Sequence, residues 1–225
     1  MSGGAIGNVR RDVTSDLIRV AVLAFDGIVA DTLPLRAQAL AMAFESTIND
    51  EGVAPSVVVP ATALLPLLPG RTFSESIAVA MQQLPALRDA PVHTDLPLHD
   101  LIEVRAQRAW SAAAAHGVPL RRDIVVQIRR EAACGVRIVL RSDSQRREVE
   151  PLLRLAGLDD HIAFVRASDD MPRTPGVTSL QASYEAIDAR LARLRIDRAH
   201  RIAIEVDSRS AGIGKGFAGT SRTIF

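Results

Sequence analysis

Three short polar stretches carry the residue types that could do chemistry, and each follows an apolar run. Asp26-Gly27 and Asp31 follow residues 20–25, Ser142-Asp143-Ser144 follow residues 136–140, and Asp207-Ser208 follow residues 202–206. A carboxylate such as Asp26 can move protons to and from a leaving group or a water when a nucleophile is held beside it. A hydroxyl such as Ser142, just past a strand and beside the free N–H groups of the next helix start, can cradle a phosphate. The hydroxyls of Ser142 and Ser144 can equally cap that helix, and Asp143 sets a negative charge against any phosphate there. Arg71, in Gly70-Arg71-Thr72-Phe73-Ser74, could hold a phosphate bidentately; Thr72 with Glu75 also reads as a capping box. Histidines at 93, 99, 116, 161 and 200 show no metal spacing and read as surface residues, and Trp110 reads as core.

Positioning these groups falls to strands and helices that alternate along the chain. The uncharged run 20–25 reads as a buried parallel strand ending in a polar loop, where open α/β sheets place their sites. Helical periodicity follows at 34–47, 58–67, 72–84 and 97–115, separated by turns such as Pro69-Gly70 and Pro91. A helix over 123–134 ends at Gly135, a strand covers 136–140, and the next helix closes at Gly157-Leu158. Further strands are expected at 162–165 and up to Val206, around a helix at 179–194. The expected fold is α/β, a Rossmann-like parallel sheet with an inserted α-helical cap. Residues 18–32 and 118–225 form its core, 33–117 the cap and 1–17 a tail.

Composition narrows the partners. With 27 basic and 26 acidic residues the net charge is +1, so nothing points to nucleic acid, and no apolar run has the length of a membrane span. One cysteine, Cys134, excludes an internal disulfide. Together with the lack of a signal-peptide pattern this gives a cytoplasmic expectation. Lys215 is the only lysine.

The stretch from residue 20 to Thr32 resembles the first motif of the haloacid dehalogenase (HAD) superfamily, Asp-x-Asp-Gly-Thr-Leu-x-Asp-Ser/Thr. Asp26-Gly27, Asp31 and Thr32 are in register, and Ala24 stands at the first Asp. The later landmarks follow in order: Ser142, then a Lys-Pro segment replaced here by Met171-Pro172-Arg173-Thr174-Pro175, then Asp207 with Ala211 before Ala218-Gly219. The Gly70-Arg71-Thr72 turn is similar to one in the caps of β-phosphoglucomutase-type mutases and phosphatases, whereas Leu33 and Arg36 depart from that type. The resemblance implies that the first carboxylate forms an aspartyl-phosphate and that Asp26 is its acid/base. It further implies that Ser142, Arg71 and Arg173 bind phosphate and that Asp207 binds Mg²⁺.

Alanine at position 24 can be neither nucleophile nor metal ligand, and Arg173 is not equivalent to a compact lysine ammonium. The resulting expectation is a HAD-like pseudoenzyme with Asp26 and Asp207 vestigial, without a cofactor, acting as a structural or regulatory subunit through a protein partner. An early stop at Phe225, which would leave a sheet edge uncovered, fits a partner. The alternative is a Mg²⁺-dependent phosphatase or phosphosugar mutase with a displaced constellation, Asp26 as nucleophile and Arg173 as clamp.

Overall fold

The computed structural model describes residues 18–50, 58–83, 97–170, 176–196 and 201–206, the last of these by backbone alone. The expected tail at 1–17, and Arg173, Asp207, Ala211, Lys215, His93 and His200, lie outside the described residues, as does the expected closing strand at 220–225.

Among the described residues four strands form one parallel sheet: β1 (Ile18–Ala24), β2 (Arg137–Arg141), β3 (Ile162–Arg166) and β4 (Arg201–Val206), in the order β3-β2-β1-β4. Because side chains alternate along a strand, the sheet has two apolar faces. Leu23, Ile138, Leu140 and Val165 point into the main core. Val20, Val22, Val139 and Phe164 face a smaller cluster with Ile187 and Leu191.

The described residues form seven helices: α1 (Leu33–Asp50), α2 (Ala61–Leu64), α3 (Phe73–Gln83), α4 (Leu98–Ala115), α5 (Arg122–Ala133), α6 (Arg146–Leu155) and α7 (Ser179–Arg193). The face built on Ile187 and Leu191 belongs to α7, while Ile128 of α5 and Val149 and Leu152 of α6 join the opposite one. Helices on both faces of a parallel sheet make this an α/β fold. No described helix is long and apolar enough to cross a membrane.

Helices α1 to α4 lie between β1 and the rest of the sheet in sequence, and α1 packs along α4. A stripe at every fourth position of α4, Leu98, Ile102, Ala106, Trp110 and Ala114, is buried. The helix read from 58 starts only at Ala61. Pro60, with φ −66° and ψ 137°, occupies the capping position, and a residue before proline is pushed out of the helical region. Pro66 then turns the helix end into a short 3₁₀ segment (Leu65–Leu67), since it supplies no N–H for a continued α-helix.

Candidate functional site

The turn after β1 decides where Asp26 points. Val29 and Ala30 both donate their N–H groups to Phe25 O, at 3.1 and 3.0 Å, and Gly27 N–H donates to Ala30 O at 2.8 Å. Gly27 adopts φ +79°, a conformation that a side chain would strain. Phe25 N–H bonds Arg141 O at 2.7 Å, which ties this turn to the head of β2.

There the Asp26 carboxylate meets four donors. Thr32 Oγ1 and Ser144 Oγ donate to Oδ1 at 2.9 Å each, and Ser142 Oγ and the Asp143 N–H donate to Oδ2 at 2.6 and 2.8 Å. Arg36 Nη1 stands 3.7 Å from Oδ1, both side chains being almost wholly buried. Two further buried charges adjoin them: Arg141 Nη1 donates to Asp143 Oδ1 at 2.7 Å. Two carboxylates and two guanidiniums therefore sit together out of water, and their formal charges cancel.

Burial pushes the Asp26 carboxyl upward, but Arg36 and the hydrogen bonds from Ser142, Asp143 N–H and Thr32 outweigh it and hold Asp26 below the usual 3.8. For Asp143 the balance is reversed. Burial raises it, and the pull of Arg141 does not compensate while Asp26 repels a second charge. A buried carboxylate held below its ordinary value, with both oxygens already accepting, is poorly placed to deliver or collect a proton.

Beside this cluster, α3 and α4 meet the ends of β2 and β3 around a cavity of about 380 Å³. Phe73, Gln107 and the carboxylates of Glu75, Glu103, Asp143 and Asp169 line it, and among the described residues no arginine, lysine or histidine does. That charge opposes a phosphate.

Two carboxylates fasten α3 and α4 to the helices that flank the sheet. Glu148 of α6 accepts from Gln107 Nε2 at 2.6 Å, Ser111 Oγ at 2.5 Å and Trp110 Nε1 at 2.8 Å, all on α4. It also accepts from Gln145 N at 2.9 Å, closing the capping box that starts α6. Glu75 of α3 accepts from Ser179 N at 2.6 Å and from Ser179 Oγ, placing a negative charge at the N-terminus of α7, where the helix dipole favours it.

The residues singled out in the sequence divide accordingly. Asp26 and Ser142 are brought together, but by a bond to each other. The helix-cap alternative for Ser142 and Ser144 is corrected, since Gln145 caps α6 and both hydroxyls go to Asp26. Thr72 and Glu75 form the capping box, with Thr72 N to Glu75 Oε2 at 3.0 Å and Glu75 N to Thr72 Oγ1 at 3.3 Å. The Arg71 guanidinium turns back to Leu67 O at 3.2 Å and shares no partner with Ser142. Trp110 is core, 1% exposed.

His99, expected at the surface, is half-buried, with Nε2 3.0 Å from Ser74 O. With Asp100 and Glu103 it offers ligand atoms within 4.8 Å of one another, a grouping that the spacing His-Asp-x-x-Glu on one helix could have signalled. Arg36 also went unassigned. It lies four residues before Leu40 and eight before Phe44, on the buried face of α1, where a cation must find an anion. Its guanidinium also donates to Arg71 O at 3.1 Å and covers the Phe73 ring at 4.9 Å.

Asp207, to which the resemblance assigns Mg²⁺, lies outside the described residues, and the Asp26 side chain offers such an ion no free oxygen. Ala24 offers no side-chain oxygen, both Asp26 oxygens are occupied by N–H and O–H donors, and two guanidiniums lie alongside. Magnesium requires near-octahedral oxygen ligands with carboxylate charge to spare.

No protein-family model matches the sequence, and no curated protein matches it as a relative. Solved structures do match its fold. A predicted phosphoglycolate phosphatase from Haemophilus somnus superposes with a TM-score of 0.59 at 11% identity, covering 84% of this chain and 76% of that one. CbbY from Rhodobacter sphaeroides, in complex with phosphate, gives 0.57 at 19% identity over 84% and 77%. A β-phosphoglucomutase from Clostridium difficile gives 0.54 at 14% over 84% and 76%. With its strand order, its helices between β1 and α5 and these likenesses, the chain has the fold of the HAD superfamily, in the form shared by phosphatases and β-phosphoglucomutases.

Proposed function

We propose that this HAD-type chain performs no phosphoryl transfer and serves as a structural or regulatory subunit that acts through contacts with another protein. The observation that carries this reading is the state of Asp26. The residue at the acid/base position is buried, accepts four hydrogen bonds and faces Arg36, while its neighbour two positions earlier is alanine. A carboxylate-lined cavity and the bonds of Glu75 to α7 and of Glu148 to α4 add support.

The competing reading, a Mg²⁺-dependent phosphatase or mutase with Asp26 as a displaced nucleophile, draws support from the fold likeness alone. It requires Asp26 to give up its partners and attack phosphorus across a cavity of its own charge. Phosphate release from a panel of phosphate esters with Mg²⁺, by the natural protein and by Ala24→Asp in parallel, separates the two. No release by the natural protein is expected. Ala24→Asp is expected to remain inactive as well, because Asp26 is still held. Turnover by the natural protein that Asp26→Asn abolishes would refute the proposal. The partner itself is sought by co-purification with the full chain.

A further inference from the structure

Away from Asp26, the start of α4 brings three metal-ligating side chains together. His99, Asp100 and Glu103 each present one ligand atom, and the three atoms lie within 4.8 Å of one another. The half-buried imidazole is oriented from outside this group. Its Nε2 stands 3.0 Å from Ser74 O of α3, with Ser74 Oγ at 3.3 Å. A carbonyl oxygen only accepts, so Nε2 carries the hydrogen and Nδ1 keeps its lone pair. Ligating histidines are held in this way, the second nitrogen donating to a backbone carbonyl. Nδ1 then faces Asp100 Oδ1 at 3.3 Å, and two acceptors so placed repel unless a proton or a cation stands between them. Glu103, four residues after His99 and so on the same helix face, adds a second carboxylate beside the pair and also lines the cavity of about 380 Å³. A shared proton needs only Asp100; a second carboxylate in reach of both atoms is what a divalent ion uses.

We infer that His99 Nδ1 and the carboxylates of Asp100 and Glu103 form a site for a divalent transition-metal ion such as Zn²⁺. One imidazole nitrogen with two carboxylate oxygens is a donor set that zinc accepts, whereas Mg²⁺ and Ca²⁺ take oxygen ligands and gain nothing from the imidazole. An ion held there braces α4 against α3 through the bond between His99 and Ser74, and it offsets the carboxylate charge of the cavity wall that Glu103 belongs to. The site stands apart from Asp26, so phosphate release by the natural protein would refute the proposed function and leave the binding of this ion untouched.

Zn²⁺ is titrated by calorimetry into chelator-treated, full-length natural protein and into His99→Gln, Glu103→Gln and His116→Gln, with Mg²⁺ as the control ion. The natural protein is expected to bind Zn²⁺ saturably and Mg²⁺ not. His99→Gln should bind Zn²⁺ at least about tenfold more weakly, a loss that disturbing a ligand's support alone can cause, and Glu103→Gln should also weaken it. His116, whose Nδ1 contacts Ala112 O on the exposed end of α4, controls for adventitious histidine binding, and His116→Gln should bind as the natural protein does. The melting temperature should rise with Zn²⁺ in the natural protein and stay constant in His99→Gln. Absence of saturable Zn²⁺ binding, equal binding of Mg²⁺, or unchanged affinity in His99→Gln would each overturn the inference, the first leaving His99 as an imidazolium paired with Asp100. If His99→Gln does not fold, Glu103→Gln decides, and unchanged affinity there refutes the site.

Discussion

Replacing Glu148 by alanine removes one carboxylate and strands four donors, three on α4 and one at the start of α6. The Trp110 N–H, on a residue 1% exposed, would be left without an acceptor, a loss of about 1–3 kcal/mol. The start of α6 loses its reciprocal cap, worth roughly 1 kcal/mol. Gln107 and Ser111 are only half-buried, so water replaces much of what they lose, and each contributes about 0.5 kcal/mol. The expected destabilisation of Glu148→Ala is therefore about 3–5 kcal/mol. In urea unfolding this appears as a lower midpoint with an unchanged slope, and in a thermal scan as roughly 2–4 °C per kcal/mol. Trp110→Phe, which removes the N–H and replaces the indole by a smaller aromatic ring, supplies the cycle, the volume lost being common to both of its Trp110→Phe corners. If the bond across the helices carries the effect, Glu148→Ala should be milder by about 1–3 kcal/mol in the Trp110→Phe background. A single-variant loss below about 1 kcal/mol, or strictly additive losses, would refute the account.

Arg36→Met leaves Asp26 buried without its cation and should destabilise by about 3–5 kcal/mol, measured by the same unfolding. Arg36→Lys should recover little of this, because the guanidinium also bonds Arg71 O and covers Phe73. Because Asp26 is held below its usual 3.8, its contribution is fully present above that value and is lost as pH falls through the lower folded one. Asp143, held above 3.8, contributes in the opposite sense, favouring the fold at low pH and losing that advantage as pH rises through its raised value. Unfolding free energy measured from pH 6 downward should therefore fall less steeply in Asp26→Asn than in the natural protein, and an unchanged acid limb would count against the assignment.

What the sequence disclosed was whatever a local period or a single substitution encodes. The uncharged run before Asp26 gave a buried strand, and glycine at position 27 gave the turn. Trp110, read as core in an alanine-rich helix, is indeed buried. Long-range polar partners were hidden for a physical reason. Period reveals which side of a helix is buried but not what it meets, and Ser142 lies 116 residues from the carboxylate it serves. The box of Glu148 with Gln145 is local, whereas its bond to Trp110 spans 38 residues and leaves no trace in either neighbourhood of the sequence. A serine before a helix has two energetically comparable uses, and only the position of Asp26 chooses between them.

Glu75 and Glu148 have a consequence for recognition. A hinged protein that presents two halves to one binding partner must surrender the freedom between them on association, and that lost entropy is subtracted from affinity. Here α3 and α4 are bolted to α7 and α6 before any encounter. A molecule that touches both the helical layer and the sheet layer therefore meets a single preset relief and pays nothing to align them.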